Sequence, residues 1–279
     1  MKQFKGRAIY NPSGKAGEYS YWACNFYTGC SHNCHYCYCK RGIMAHTWGI
    51  LPTLKACFKN REHAIEVFEK ELKANLPELQ KHGLFFSFTT DPMLKGTIEL
   101  TWDAICIAAK NNVKCKILTK RASWVKILLN GINAYRERRI EVDSIIDFIA
   151  FGFTLTGHDE LEPNASTNTE RIEAMKKLHD VGFKVWASIE PIIDFKSSKE
   201  MIRQTAPFTN LYKIGLESGK KYSPIEARAF MGSVNWFTRT QVNPPKVYFK
   251  DSLLSIAGVS REDLPSNCVS RDYNIFNES

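Results

Sequence analysis

The sequence predicts an α/β fold, a partial (β/α)6 parallel barrel of the TIM type with a C-terminal cover segment. Three observations predict it. Short apolar runs alternate with helical patterns through the middle of the chain, as βα units require. Each apolar run ends in polar residues, which is where a parallel barrel builds its site. The 279 residues, 44% hydrophobic and 24% charged, suit one large domain with a sizeable core.

The first strand is expected at 19–25, ahead of a cysteine-rich loop. A helix at 61–81 follows, with Ile65, Phe68, Leu72, Leu76 and Leu79 on one face and Gly83 as its stop. The text LFFSFTT at 84–90 reads as a buried strand, then 98–110 as a helix, 113–119 as a strand, 122–129 as a helix and 148–154 as a strand. Thr167 and Glu170 form a capping-box pair that opens a helix ending near Gly182. A strand at 185–189, a helix opened by Ser197 and Glu200, and a strand at 211–216 complete six units. The alternation breaks after Lys220. Residues 1–18 are therefore expected as an N-terminal arm, 19–220 as the barrel, and 221–279 as the cover with a short helix at 248–256.

The formal net charge of +9 favours a nucleic-acid or phosphate-bearing partner, though only weakly. The basic run at 136–139 and the Lys220–Lys221 pair read as solvated surface. Trp186 reads as core because it lies within a strand, while Trp236, Phe237 and Arg239 offer planes on which a base could stack. No apolar run approaches the ~18 residues of a membrane span, and the first 15 residues lack the apolar core of a signal peptide. A cytoplasmic protein without membrane partners is expected. Nine cysteines in that setting read as thiols or metal ligands, and five of them fall between Cys24 and Cys39.

Within that cluster, Cys30, Cys34 and Cys37 have the spacing C-x3-C-x2-C. Three thiolates on one loop can hold three irons of a cubane cluster and leave the fourth iron without a protein ligand. Alternatively, Cys24, Cys39, His32 and His35 could complete a tetrahedral zinc site with some of the same cysteines. The chain would then be a zinc-stabilised basic nucleic-acid-binding module without catalysis. Zinc sites more often take two ligand pairs separated by a longer loop. A barrel that keeps its cluster but serves as a scaffold or electron-transfer partner is a third reading.

The cysteine spacing, with Tyr36 before the last cysteine, resembles the signature of the radical S-adenosylmethionine superfamily. The resemblance implies a [4Fe–4S] cluster on Cys30, Cys34 and Cys37, which are then the metal ligands and the catalytic centre. It also implies S-adenosyl-L-methionine as cofactor and an external one-electron reductant of the flavodoxin or ferredoxin type. Reductive cleavage of the sulfonium would give a 5′-deoxyadenosyl radical that abstracts hydrogen from a substrate, nucleic acid being one candidate.

A narrower similarity, to the spore photoproduct lyase-like branch, runs from about residue 22 to 194. It rests on Thr89-Thr90-Asp91-Pro92, Thr119-Lys120, Phe151-Gly152-Phe153-Thr154, Glu162-Pro163-Asn164-Ala165-Ser166 before Arg171, and Pro191-Ile192-Ile193. That similarity implies that Lys120 pairs with the S-adenosylmethionine carboxylate. Thr89 or Thr90 and Thr154 would hydrogen-bond its methionine or ribose part, and Tyr36 would shield the cluster near the adenine. Asp91 and Glu190 are the expected substrate contacts. Departures stand beside the matches: Phe88 occupies the place of the lyase's hydrogen-donating cysteine, and Glu190 that of a small residue. No basic, tyrosine-rich segment follows Lys220.

Overall fold

The computed structural model describes residues 3–137 and 143–277. In chain order the elements are β1 (Ile9–Tyr10), β2 (Ala23–Cys24), β3 (Tyr27–Thr28), β4 (Thr53–Leu54), α1 (Arg61–Ala74), α2 (Leu76–His82), β5 (Leu84–Phe86), α3 (Ile98–Lys110), β6 (Cys115–Thr119), α4 (Val125–Glu137), α5 (Asp143–Ile146), β7 (Ile149–Thr154), α6 (Asn168–Asp180), β8 (Lys184–Ile192), α7 (Phe195–Thr205), β9 (Leu211–Leu216), α8 (Pro224–Arg239), β10 (Lys246–Phe249) and α9 (Asp251–Ala257). Eight strands form one sheet in the order β1-β2-β5-β6-β7-β8-β9-β10, parallel throughout except for the β1–β2 pair. This is a partial barrel. Among the described residues no helix is long and apolar enough to cross a membrane. Arg138 and Arg139 of the basic run lie outside the described residues.

All six expected parallel strands are present, with four differences around them. The helix expected over 61–81 breaks at Asn75, because Pro77 lacks an N–H and sits in the first turn of a new helix. The strand expected over 84–90 ends at Phe86, and residues 87–91 turn into the barrel mouth. The second capped helix starts earlier than Ser197: Asp194 is its N-cap, accepting from the Ser197 N–H at 2.7 Å, and Ser197 lies inside the first turn. The alternation also does not break after Lys220. α8 and β10 add a seventh parallel strand beside β9, so the expected 248–256 helix is the end of a strand followed by α9. Covering falls instead to the last residues. Ile275 and Phe276 pack inside the sheet with Phe85, Ala150, Trp186 and Leu211, and Asn274 bonds the Lys81 carbonyl ahead of β5.

Strand alternation decides what faces inward. In β8, Val185, Ala187 and Ile189 join the large core under the helices, while Trp186 faces the barrel interior with Tyr19 and Phe85. The same period carries Ser188 and Glu190 to the mouth. Across from Trp186, its register partner Gly152 leaves space for the indole, since a Cβ there would lie 2.1 Å from Trp186 Cε2. Gly152→Ala is therefore expected to cost about 1–3 kcal/mol by overpacking, and to lower Tm by roughly 2–4 °C per kcal/mol. An unchanged calorimetric Tm would show that the interior yields where this packing says it cannot.

Candidate active site

One cavity of about 460 Å³ opens at the carboxyl ends of the strands. Its lining includes Cys30, Cys34, Tyr36, Cys37, Thr89, Thr90, Asp91, Lys120, Thr154 and Glu190, the site residues expected for the cluster, the cofactor and the substrate; Cys24, His35, Trp236, Phe237 and Arg239 are not part of it. They come from the cysteine loop and from the ends of β5, β6, β7 and β8.

The cysteine loop starts at Gly29, whose φ of +83° and close approach to Leu51 O (2.4 Å from an added Cβ) admit no side chain. The Cys30 N–H then donates to Gly49 O at 3.0 Å. His32 is buried, with Nε2 2.7 Å from Asp91 Oδ2 and Nδ1 3.1 Å from the Asn164 carbonyl. Asn164 returns a bond to Ser31 O at 3.0 Å, and the His35 N–H reaches Leu161 O at 2.9 Å. The loop is thus fixed by the His32 side chain and by its own backbone to segments after β5 and β7.

Burial pushes the Cys30 thiol up to about 12 and raises Cys34, with Asp91 and Glu162 respectively adding to the effect. Cys37 goes the other way, to about 6, first through a hydrogen bond from Cys39 and then through Lys120 and Lys40. Lys120 loses basicity to burial but regains more from Cys34 and Glu162, so its ammonium is held charged. Its Nζ lies 5.4 Å from the Tyr36 ring centroid. Among the described residues it makes no hydrogen bond or ion pair of its own.

These donors discriminate between metals. Both nitrogens of His32 are engaged by protein oxygens, and Cys24 is fully buried in the core on β2. Among the described residues no three His, Cys, Asp or Glu side chains come close enough to hold one metal ion. A cubane takes one thiolate per iron, and Cys30, Cys34 and Cys37 all line the same cavity.

Some expected contacts serve other ends. Asp91 gives both oxygens to the protein: His32, the Met93 N–H (2.8 Å), Thr119 Oγ1 (2.8 and 2.9 Å) and the Lys120 N–H (2.7 Å). Burial would raise its pKa, but His32 and the two backbone N–H groups outweigh burial and hold it below the usual carboxylate range. It braces the site and has no oxygen left for a substrate. Thr89 Oγ1 donates to Tyr27 O at 2.5 Å, and Thr90 Oγ1 is buried without a partner among the described residues. Thr156, another polar residue after a strand, turns away and bonds Glu162 at 3.3 Å.

Sequence reasoning assigns no role to Glu162 or Arg171. Both are fully buried: Glu162 accepts from the Tyr36 hydroxyl and from Arg171, which also donates to Thr154 O at 2.6 Å. The only sequence signal was their place in the Glu162–Arg171 run. At the end of β8, Glu190 accepts from Tyr19 (2.6 Å) and Lys250 (2.9 and 3.0 Å), and Tyr19 lies 2.6 Å from Ser188 Oγ. Lys250, buried beyond the expected barrel boundary, is visible in the sequence only as one more basic residue.

Asp91→Ala strands four donors, so a stability loss of about 3–5 kcal/mol is expected, together with less iron retained after reconstitution. Asp91→Asn should retain more of both. An Ala variant with parental Tm and iron content would show that the brace does not hold the loop.

Comparison with known proteins agrees with this geometry. Residues 24–209, two thirds of the chain, match the model of the radical SAM superfamily. An uncharacterised protein of Methanocaldococcus jannaschii, MJ0683, is 26% identical over 219 residues, covering 75% of this chain and 74% of that protein. Among solved structures, a cysteine-to-serine variant of spore photoproduct lyase superposes with a TM-score of 0.63 at 15% identity, covering 90% of this chain and 81% of the lyase. Streptococcus suis SuiB bound to S-adenosylmethionine gives a TM-score of 0.52 at 13% identity, covering 82% of this chain and 47% of SuiB. With the cysteine loop, the parallel partial barrel and the family match all in agreement, the chain belongs to the radical SAM superfamily of enzymes.

Proposed function

We propose that the chain holds a [4Fe–4S] cluster through Cys30, Cys34 and Cys37, binds S-adenosylmethionine beside it, and directs hydrogen abstraction at a substrate entering near Glu190. The observation that supports it is that one cavity is lined by the three thiols, by a Lys120 ammonium without an ion-pair partner among the described residues, and by the Glu190 carboxylate held by Tyr19 and Lys250. When bound, the cluster and S-adenosylmethionine supply reductive cleavage of the sulfonium to methionine and a 5′-deoxyadenosyl radical.

The chain's own residues bind and orient. Lys120 presents a charged Nζ with no carboxylate partner, suited to the carboxylate of the methionine part. Tyr36, fixed by Glu162, lays its ring against that ammonium and shields the cysteine loop. Thr154 lines the wall between, its carbonyl held by Arg171 so that the strand end cannot drift. Phe88 packs at a tilt against Phe85 with centroids 4.5 Å apart, giving an apolar wall where spore photoproduct lyases are expected to carry a thiol. Glu190, its oxygens oriented by Tyr19 and Lys250, would accept a hydrogen bond from a substrate hydroxyl or amine.

Replacing Cys30, Cys34 or Cys37 by Ala should abolish both bound iron and 5′-deoxyadenosine formation with dithionite, whereas Cys39→Ala should keep both. Loss of iron in the Cys39 variant would place a fourth thiolate on the cluster. Lys120→Met should weaken S-adenosylmethionine binding by about 1.5–3 kcal/mol, the range for a hydrogen bond to a charged group. Glu190→Gln should spare dithionite-driven cleavage of S-adenosylmethionine but impair transfer of deuterium from substrate into 5′-deoxyadenosine. Equal transfer in that variant would remove Glu190 from substrate recognition.

A further inference from the structure

A second cavity, of about 400 Å³, lies at the amino ends of the strands and falls within the size range of small-ligand sites. Its walls are the N-terminal arm, the end of α2, the start of β6 and residues 271–274. Among the described residues, Tyr19 is the only one that lines both this cavity and the site at the carboxyl ends. Parallel barrels carry their chemistry at the carboxyl ends, so a cavity with charged walls at this end has a separate role.

The groups around it are mostly donors. Lys116 on β6 is buried, and its Nζ donates to the His82 carbonyl at 3.2 Å. An ammonium has three N–H bonds, so two have no acceptor among the described residues. Burial pulls Lys116 down to about 8, opposed by Cys115 and by no carboxylate. Arg271 is exposed, and its Nε donates to Gly17 O at 3.1 Å, leaving both terminal nitrogens without a partner among the described residues. Contacts hold these groups together. His82 stacks on Tyr21 with centroids 4.4 Å apart, and Asn274, three residues after Arg271, bonds the Lys81 carbonyl next to His82. Asp272 is the one carboxylate in the lining; it is exposed and forms no ion pair among the described residues.

We propose that this cavity binds the phosphate group of a small molecule, with Lys116 and Arg271 as its cationic contacts. Water entering the cavity would satisfy the free N–H bonds but not the charge, and a buried ammonium without a counter-charge is costly. A phosphate supplies that charge together with several acceptor oxygens, and the planar fork of a guanidinium matches it. Free phosphate and a phosphate monoester such as a nucleotide share this chemistry.

The test titrates inorganic phosphate and, separately, AMP into the full-length protein by calorimetry. The parental protein should bind at least one of them with millimolar or tighter affinity. Lys116→Met and Arg271→Gln should each weaken that binding by about tenfold or more, as loss of one charge-assisted hydrogen bond implies. The bound probe should raise the parental Tm, and at the same concentration should raise that of each variant less. Should Lys116→Met fail to fold, the exposed Arg271→Gln still judges the proposal. Lys120→Met, in the other cavity, should bind as the parental protein does. Tighter binding of AMP than of phosphate assigns the site to a phosphate monoester, and equal or weaker binding assigns it to free phosphate; both support the phosphate contact. No binding of either probe at about 10 mM, where a millimolar site would be largely filled, overturns the proposal. Parental affinity in the folded Lys116 and Arg271 variants overturns it as well. Loss of binding in Lys120→Met alone places the anion in the cavity at the carboxyl ends and likewise overturns it.

Discussion

One buried carboxylate determines whether the site exists. Asp91 gathers His32 from the cysteine loop, Met93 from its own turn, and the Thr119 hydroxyl and Lys120 N–H from the end of β6. Without it, the loop between β2 and α1 would have to hold three cysteines in place with little regular structure, since that stretch contains only the short β3–β4 pair and 3₁₀ turns. A buried carboxylate is costly unless every lone pair is used. Here its partners make it acidic, and the same bonds that satisfy it set the positions of both Cys30 and Lys120.

A second buried charge pair does for the other wall what Asp91 does for the first. Arg171 and Glu162 are out of solvent, and the carboxylate of Glu162 also meets Tyr36. This pair keeps a negative charge near Lys120 without forming an ion pair with it. The ammonium therefore stays protonated in a half-buried place while its donors remain available. Direct pairing of Lys120 with Glu162 would have closed the position to any ligand.

The sequence made the fold legible where period and punctuation were strong. α3 and β9 fall on their expected residues, and α6 opens with the full Thr167–Glu170 capping box. It misled where a local signal had a stronger competitor: Ser197 yielded the cap to Asp194, and Pro77 split one helix into two. Residues of the site were legible when they sat at strand ends, because strand direction alone brings Thr154 and Glu190 to the mouth. The role of Asp91 was not, since a carboxylate beside two threonines looks equally suited to a ligand or a brace until its partners are known. Glu162 with Arg171, and Glu190 with Lys250, join residues 9 and 60 positions apart, and no spacing rule announces such pairs.

The Glu190–Lys250 pair also explains why the alternation continues past Lys220. Lys250 follows β10 directly, so its side chain reaches the mouth only because β10 lies parallel to β9, one strand beyond β8. A cover segment laid across the barrel end could not deliver a buried lysine at that height. Tyr19, ahead of β2, approaches Glu190 from the other side of the gap in the barrel, at 2.6 Å, and its ring sits 4.8 Å from Lys250 Nζ. The two sides of the gap are therefore joined through Glu190 and also through Glu18, which accepts from the Tyr248 hydroxyl at 3.1 Å and the Asp251 N–H at 2.9 Å. Glu190 therefore helps hold the two sides of the barrel mouth together, so a substitution there acts on barrel shape as well as on the proposed substrate contact, and a conservative change such as Gln disturbs the shape least.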